Sequence, residues 1–276
     1  MKIAIISDVH GNLEALKAVI NDTKNKGVEK IFCLGDTIAK GPHSKECIEL
    51  VKQKCDVVVR GNCDRHFSEP LSEIASKSEY ERNRWEKIHG MLSEEEREYL
   101  RNLPYSFEFY LSGSLVRIFH SSPEADNKVL ISQDSIEDKY KMFLPSDKTI
   151  SDKIADVVIY GHIHHQYMDK IYNKTIANAG SVGNSFCLIR NPDKDSKIEE
   201  IRQANYCLLE GNYGEKEYSN SFSLQFVRVP YNIDKELEKD YFEHEEFEHE
   251  VKNGTYRNMT KIKSYFEKLG IDFDNF

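Results

Sequence analysis

The first sixty residues alternate short continuous apolar runs with amphipathic stretches, and no other feature constrains the fold as strongly. KIAII (2–6) reads as a buried strand. NLEALKAVINDTKNKG (12–27) reads as a helix, with Asn12 placed to cap its start and Gly27 to end it. VEKIFCLG (28–35) is a second strand, HSKECIELVKQK (43–54) a second helix and DVVVRG (56–61) a third strand. Strands with no polar alternation leave no face for water, so they belong in a parallel sheet covered by helices on both sides.

Residues 68–103 are helical in pattern and strongly charged, with Trp85, Ile88, Met91 and Leu92 as the expected inward positions. After Leu103 and Pro104 the texture changes. YSFEFYLSGSLVRIF (105–119) reads as two strands around a Ser-Gly-Ser turn. DVVIY, YMDKIY, KTIANA, ANYCLLE and FSLQFVRVP follow as further strands, with a polar excursion over 191–203. βαβ units followed by a sheet-rich half predict two sheets packed face to face with helices outside. From about Ile233 the pattern is helical and acidic, with 12 acidic and 7 basic residues to the end of the chain. Its FEHEEFEHE run (242–250) reads as a solvated acidic face with Leu237, Tyr241, Phe247 and Val251 packing below, and Asn253-Gly254 separates two helix patterns.

With 39% apolar residues and 30 aromatics among 276, the chain can build a substantial core. The net charge of −9 argues against nucleic acid as a partner, because such binding rests on Lys and Arg neutralising phosphates. Small anionic ligands stay open, since a bound cation supplies positive charge locally. Six cysteines (33, 47, 55, 63, 187 and 207) form no CxxC pair. No run approaches the ~20 apolar residues of a membrane span, and the N-terminal apolar run is too short for a signal peptide. The expectation is a reduced, cytoplasmic chain without a membrane segment, with the subunit count left open, a homo-oligomer included.

Five short segments place ligand-type side chains just past apolar strands: ISDVHGN (Asp8, His10, Asn12), LGDT (Asp36), RGNCD (Asn62, Asp64), IFHSSP (His120) and IYGHIHH (His162, His164, His165). Ligands of open α/β sheets bind where loops leave the carboxyl ends of strands. Any one segment alone reads more simply as a turn or a satisfied hydrogen-bond partner. In this order the five resemble the calcineurin-like metallophosphoesterase superfamily, and SDVHGNLEALKAVI, NRWEKIHGMLSEEEREYLRNLP and NAGSVGNSF extend the likeness to its bacterial branch over residues 1–232.

The resemblance implies an α/β fold, a four-layer αββα sandwich of two mixed β-sheets with flanking helices. Residues 1–232 would form that domain, and 233–276 an acidic helical extension packed on it. It further implies two divalent or trivalent transition-metal ions, Mn first, with Fe, Zn or Ni also compatible with carboxylate, amide and imidazole donors. Asp8, His10, Asp36 and His164 would hold one ion; Asp36, Asn62, His120 and His162 would hold the other, with Asp36 shared. The activity implied is hydrolysis of a small phosphate ester or nucleotide, at a phosphodiester or phosphoanhydride bond, by a metal-bridged hydroxide. An asymmetric dinucleoside polyphosphate is one such substrate.

Asp36, Asn62, Cys63, Asp64 and His66 are the candidate catalytic residues. Cys63 stands where many relatives carry histidine, and it reads first as a turn residue rather than a reactive thiol. General acid catalysis of alkoxide departure is typically worth ~10²–10⁴-fold. A phosphate leaving from an anhydride needs less help, because its own pKa is about 6. The exchange therefore favours anhydrides and activated diesters over phosphoserine, with His66, His165 and Asp64 as alternative donors. A serine/threonine protein phosphatase and a non-catalytic metal-binding scaffold remain the competing readings. Arg60 and Arg65 flank the Gly-Asn turn, where they could steady a phosphate or pair with nearby acids.

Overall fold

The structure, a computed structural model, describes residues 1–70, 78–185, 203–218, 220–253 and 259–270. Strands β1 (Lys2–Ile6), β2 (Lys30–Cys33) and β3 (Val57–Val58) lie parallel, joined by helices α1 (Leu13–Asn25) and α2 (Ser44–Lys54). Asn12 caps α1 by accepting from Ala15 N–H at 3.1 Å, and Gly27 follows its end at φ +68°. Strand β3 is shorter than the apolar run DVVVRG suggests. Val59 N–H still donates to Cys33 O at 2.9 Å, but Arg60 N–H turns away to Pro104 O at 2.8 Å, so the chain leaves the sheet. Helix α3 (Asn62–Ser68) begins at once, where the sequence reads as a turn.

Helices α4 (Glu79–Met91) and α5 (Glu94–Arg101) each open on a capping box, Ser78 with Glu81 and Ser93 with Glu96. Trp85, Ile88 and Leu92 face inward as expected, and with Ile38, Ile48, Phe67 and Leu100 they form a core beside α3. Met91 is only half-buried. The hairpin β4 (Ser106–Leu111) and β5 (Ser114–Phe119) follows. A helix not foreseen from sequence, α6 (Ile136–Lys141), leads to β6 (Val157–Tyr160), β7 (Tyr167–Ile171) and β8 (Lys174–Asn178).

Strands β9 (Gln203–Glu210) and β10 (Ser223–Pro230) return to the first sheet, whose order is β10-β9-β1-β2-β3; the second sheet runs β4-β5-β6-β8-β7. Both are mixed: β1 pairs β2 parallel and β9 antiparallel, while β6 pairs β5 and β8 parallel. Alternation along the strands separates the layers. Ile3 and Ile5 of β1 join Phe109, Val116, Ile118, Val157 and Ile159 between the sheets. Ala4 and Ile6 face Ala15, Leu16, Val19, Cys47 and Val51 of α1 and α2. On the far side Val158 and Tyr160 meet Met142, Phe143 and Phe266. The result is the α/β four-layer αββα sandwich.

The tail contains α7 (Ile233–Glu236), α8 (His244–Asn253) and α9 (Met259–Lys268). Phe247 and Val251 are buried, and Leu237 and Tyr241 half-buried. The fully solvated acidic face read from sequence needs correction. Glu245 and Glu246 are exposed, but Glu236, Glu243 and Glu250 are buried with polar partners. The polar excursion lies outside the described residues up to 202, as do Cys187 and Gly254 of the expected Asn-Gly break. Among the described residues no helix is long and apolar enough to cross a membrane.

Candidate metal centre

Each sequence-predicted ligand emerges where a strand ends: Asp8 and His10 after β1, Asp36 after β2, Asn62 past β3, His120 after β5, and His162 and His164 after β6. Five of them sit in left-handed backbone: Asp8 at φ +53°, His10 at +49°, Asp36 at +52°, His162 at +68° and His164 at +59°. Such residues cost ~1–3 kcal/mol each and persist only where the surroundings over-determine them. Here the exits brace one another. Asp8 N–H donates to Gly35 O at 3.0 Å and His10 N–H to Asp36 O at 2.9 Å. Across the sheets, Ser181 Oγ donates to Asp8 O at 2.7 Å and Gly183 N–H to the same oxygen at 2.9 Å. Asn178 Nδ2 holds Gly161 O at 2.5 Å. The NAGSVGN segment thus supports the centre from behind.

Two glycines are required by close approach. A Cβ on Gly61 would stand 2.1 Å from Asp36 Oδ1, and one on Gly161 would stand 1.9 Å from Ser7 Oγ and 2.5 Å from Asp8 Oδ2.

The carboxylates share one design. Asp8 Oδ2 accepts Ser7 O–H at 2.5 Å and His162 N–H at 2.9 Å, whereas its Oδ1, fully buried, accepts no hydrogen bond. Asp36 Oδ1 accepts Cys63 N–H at 2.7 Å, and its Oδ2 lies 3.7 Å from His10 Nε2 and 3.5 Å from His120 Nε2. In each case the protein fixes one oxygen and aims the other.

The imidazoles are oriented in the same way. Main-chain carbonyls of Ile38, Asn184 and Leu34 face Nδ1 of His10, His164 and His120 at 3.2, 2.9 and 2.8 Å. Each Nδ1 therefore carries the proton, and each Nε2 presents a lone pair when the ring is neutral. His10 and His164 bring these lone pairs to 3.0 Å, with Asp8 Oδ1 3.2 Å from His164 Nε2. His120 Nε2 is 3.0 Å from Asn62 Oδ1, another acceptor. Ligand atoms of Asp8, His10 and His164 fall within 4.8 Å of one another, as do those of Asp8, Asp36 and His120 and those of His10, Asp36 and Cys63. Acceptors converging on acceptors in a buried place fit cations, and the mixture of oxygen and imidazole nitrogen suits transition metals.

Protonation states agree with that fit. Burial opposes ionisation of Asp8, yet the charges of His164 and His120 hold its carboxyl well below the usual range. Asp36 is lowered against burial by His120 and His10. Burial, then the Lys40 ammonium, pulls His10 down to about 4; burial and His120 take His162 to about 4. His120 alone moves up, its burial outweighed by Asp36 and Asp8. Ionised carboxylates and the downshifted imidazoles of His10 and His162 are in the forms a metal binds, while His120 would have to give up its proton to an incoming cation.

The remaining candidates divide. Cys63 lies within the His10–Asp36 group, but burial followed by the Asp36 charge pushes its thiol well above the ordinary range, so it stays protonated. Asp64 is buried with both oxygens occupied: Oδ2 accepts from Asp36 and Gly61 N–H at 2.7 and 3.0 Å, and Oδ1 from Thr37 N–H at 2.9 Å. Burial and Asp36 lift its carboxyl to about 6. Asp64 locks the loop of Asp36 to the start of α3. Neither Asp64 nor His66 joins the ligand groups among the described residues; the His66 ring packs on Phe67 with centroids 4.8 Å apart. The ring of His162 lies 5.3 Å from that of His120, beside the groups rather than within them. Arg65 is committed to Asp126 at 2.6 and 3.2 Å and to Glu69 at 3.2 Å, and Arg60 donates to Arg101 O at 3.0 Å.

Sequence reading missed Lys40, Asn184 and the tail glutamates. Lys40 Nζ donates to Asn184 Oδ1 at 3.3 Å, and Asn184 Nδ2 donates to Glu250 Oε2 at 3.0 Å. Glu243 pairs with Arg84 at 2.6 Å, and Glu236 with His43 at 2.8 Å while accepting Glu14 N–H at 2.8 Å. Glu243, Phe247, Glu250 and Val251 share one helical face by their spacing, a signal visible in the sequence.

Residues 1–196 match the family described as "Calcineurin-like phosphoesterase superfamily domain". The uncharacterized protein MJ0912 of Methanocaldococcus jannaschii is 30% identical over 254 residues, which cover 86% of this chain and 90% of that protein. Among solved structures the fold is similar to a metallophosphoesterase from Sphaerobacter thermophilus, with TM-score 0.61 and 24% identity over 86% of this chain and 92% of that one. It is also similar to the hypothetical protein PH1004 from Pyrococcus horikoshii OT3, with TM-score 0.64 and 18% identity over 85% and 90% of the two chains. The structural likenesses speak for the fold alone, while the family match spans most of the sequence and includes every strand exit described above. The chain belongs to the calcineurin-like phosphoesterase superfamily.

Proposed function

We propose that the chain is a dinuclear metal-dependent hydrolase of phosphodiester or phosphoanhydride bonds in small nucleotides. Asp8, His10, Asp36 and His164 would hold one ion, and Asp36, Asn62, His120 and His162 the other. The observation that carries this reading is Asp36: with Oδ1 tied to Cys63 N–H, its Oδ2 faces both His10 and His120, so one oxygen serves both halves.

Bound metals of this kind lower the pKa of a water and neutralise charge on phosphoryl oxygens. The chain's own part is positioning. Main-chain carbonyls fix the tautomer of three imidazoles, and Ser7 and His162 N–H orient Asp8. Asp64 is a positioning residue that acts through Asp36. Cys63 supplies no imidazole for leaving-group protonation, which favours a phosphate or aryl oxide leaving group over the alkoxide of a phosphoserine. Mn, Fe, Zn and Ni all suit the donor set.

The test is a rate comparison after reconstitution with Mn, using diadenosine tetraphosphate, bis-p-nitrophenyl phosphate and a phosphoserine peptide. The expected order places anhydride or diester well above the peptide. Preference for the peptide would overturn the substrate class, and background rates throughout would overturn the enzyme.

A further inference from the structure

We propose that Lys40 grips the phosphate next to the one attacked, and that the tail helix α8 holds it there through Asn184 and Glu250. This rests on the metal-hydrolase reading above and names its substrate class: a nucleoside diphosphate unit or longer, rather than a monophosphate.

Lys40 follows Asp36 by four residues, in a loop wrapped around His10. Ile38 O faces His10 Nδ1 at 3.2 Å, and Gly41 N–H donates to His10 O at 2.8 Å. Ala39 at φ +73° and Lys40 at +65° are consecutive non-glycine residues in left-handed backbone, a conformation that persists only where neighbours enforce it. Its side chain is then brought inward, with Lys40 8% exposed and its ammonium 3.3 Å from Asn184 Oδ1. The main-chain oxygen of Asn184 is the one that faces His164 Nδ1 at 2.9 Å. One residue therefore anchors both the lysine and a candidate metal ligand.

A fixed ammonium beside a centre built to hold cations is repelled by them unless an anion lies between. A phosphate chain that spans the metals and the lysine supplies that anion. Glu250, 3% exposed, accepts from the same Asn184 amide at 3.0 Å. Its carboxylate, carried by α8, holds the Asn184 amide so that the amide oxygen faces Lys40. The second pair on this helix face, Glu243 with Arg84 at 2.6 Å, fixes α8 in the same register.

The experiment titrates the metal-loaded full chain, with the same metal in the buffer, with AMP and with α,β-methylene-ADP, which differ by one phosphoryl unit. Wild type is expected to bind α,β-methylene-ADP at least ~10-fold more tightly than AMP. Lys40→Met, which keeps the side-chain length and the backbone penalty, should bring the two affinities within about twofold, and Lys40→Arg should retain most of the preference. An unchanged preference in Lys40→Met overturns the inference. So does an equal loss for both ligands with a lowered melting temperature, which marks a structural lysine. A wild type that cleaves a diester yet shows no preference for α,β-methylene-ADP sinks this inference alone, whereas one that neither binds these nucleotides nor cleaves any substrate sinks the metal-hydrolase reading as well.

Discussion

His10 and His164 turn their Nε2 atoms toward each other at 3.0 Å, while a main-chain carbonyl faces Nδ1 of each ring. When both rings are neutral, these tautomers leave no proton to share across that gap, and a cation between them removes the repulsion. Metal should accordingly stabilise the protein. At a free metal concentration 1,000-fold above Kd the gain is about 4 kcal/mol. Thermal melts of metal-loaded and chelator-treated protein measure it, and coincident curves would refute the role given to these two rings.

Asp36→Asn should be the most damaging conservative change at the centre. It neutralises the oxygen that faces both His10 and His120, at 3.7 and 3.5 Å. Loss of a single outer-shell partner costs ~10–100-fold, and this variant should lose more in rate, with bound metal falling below the wild-type stoichiometry. Metal analysis alongside rates is the measurement. Equal background rates for wild type, Asp36→Asn and His120→Ala would favour a metal-binding scaffold.

Acid should weaken the metal-free fold through His10. Its folded pKa is about 4, against an ordinary value near 6.5, because the folded state resists protonating it. The stabilisation is therefore full above pH ~6.5 and is lost as pH falls toward 4, at most about 3 kcal/mol. Urea melts of chelator-treated protein at pH 7, 5.5 and 4.5 measure this. His10→Asn should flatten part of the dependence; an identical slope in the variant would contradict the assignment.

Arg84→Met should loosen the tail. The buried Glu243 carboxylate, 2% exposed, would lose the guanidinium 2.6 Å away. Breaking such a pair typically costs ~3–5 kcal/mol when fully buried, and less here because Arg84 is partly exposed. Amide exchange in 244–253 should accelerate while that in 2–6 stays slow. Unchanged exchange in the helix would show that Phe247 and Val251 hold it unaided.

The sandwich was legible because apolar runs and their turns are short-range signals: KIAII, KIFC and VVIY name their strands by composition alone. The strand exits were legible because ligand-type side chains follow those runs directly. What escaped depends on partners distant in sequence. Asn62 opens a helix because Asp64 accepts amides from Asp36, Thr37 and Gly61, and a turn-like GNCD string carries no sign of that. Nothing in the sequence around Lys40 marks it, since the residue that receives it is 144 positions away. The tail glutamates were misread through charge: FEHEEFEHE is acidic throughout, but helical spacing puts Glu243 and Glu250 beside Phe247 and Val251, where Arg84 and Asn184 help to make that burial tolerable.

Asp8, His10 and Asp36 leave one sheet, and His120, His162 and His164 leave the other. No fragment confined to either half can assemble the full constellation, and neither can a collapsed chain whose halves have yet to dock. Ion capture would then report that the two halves have joined.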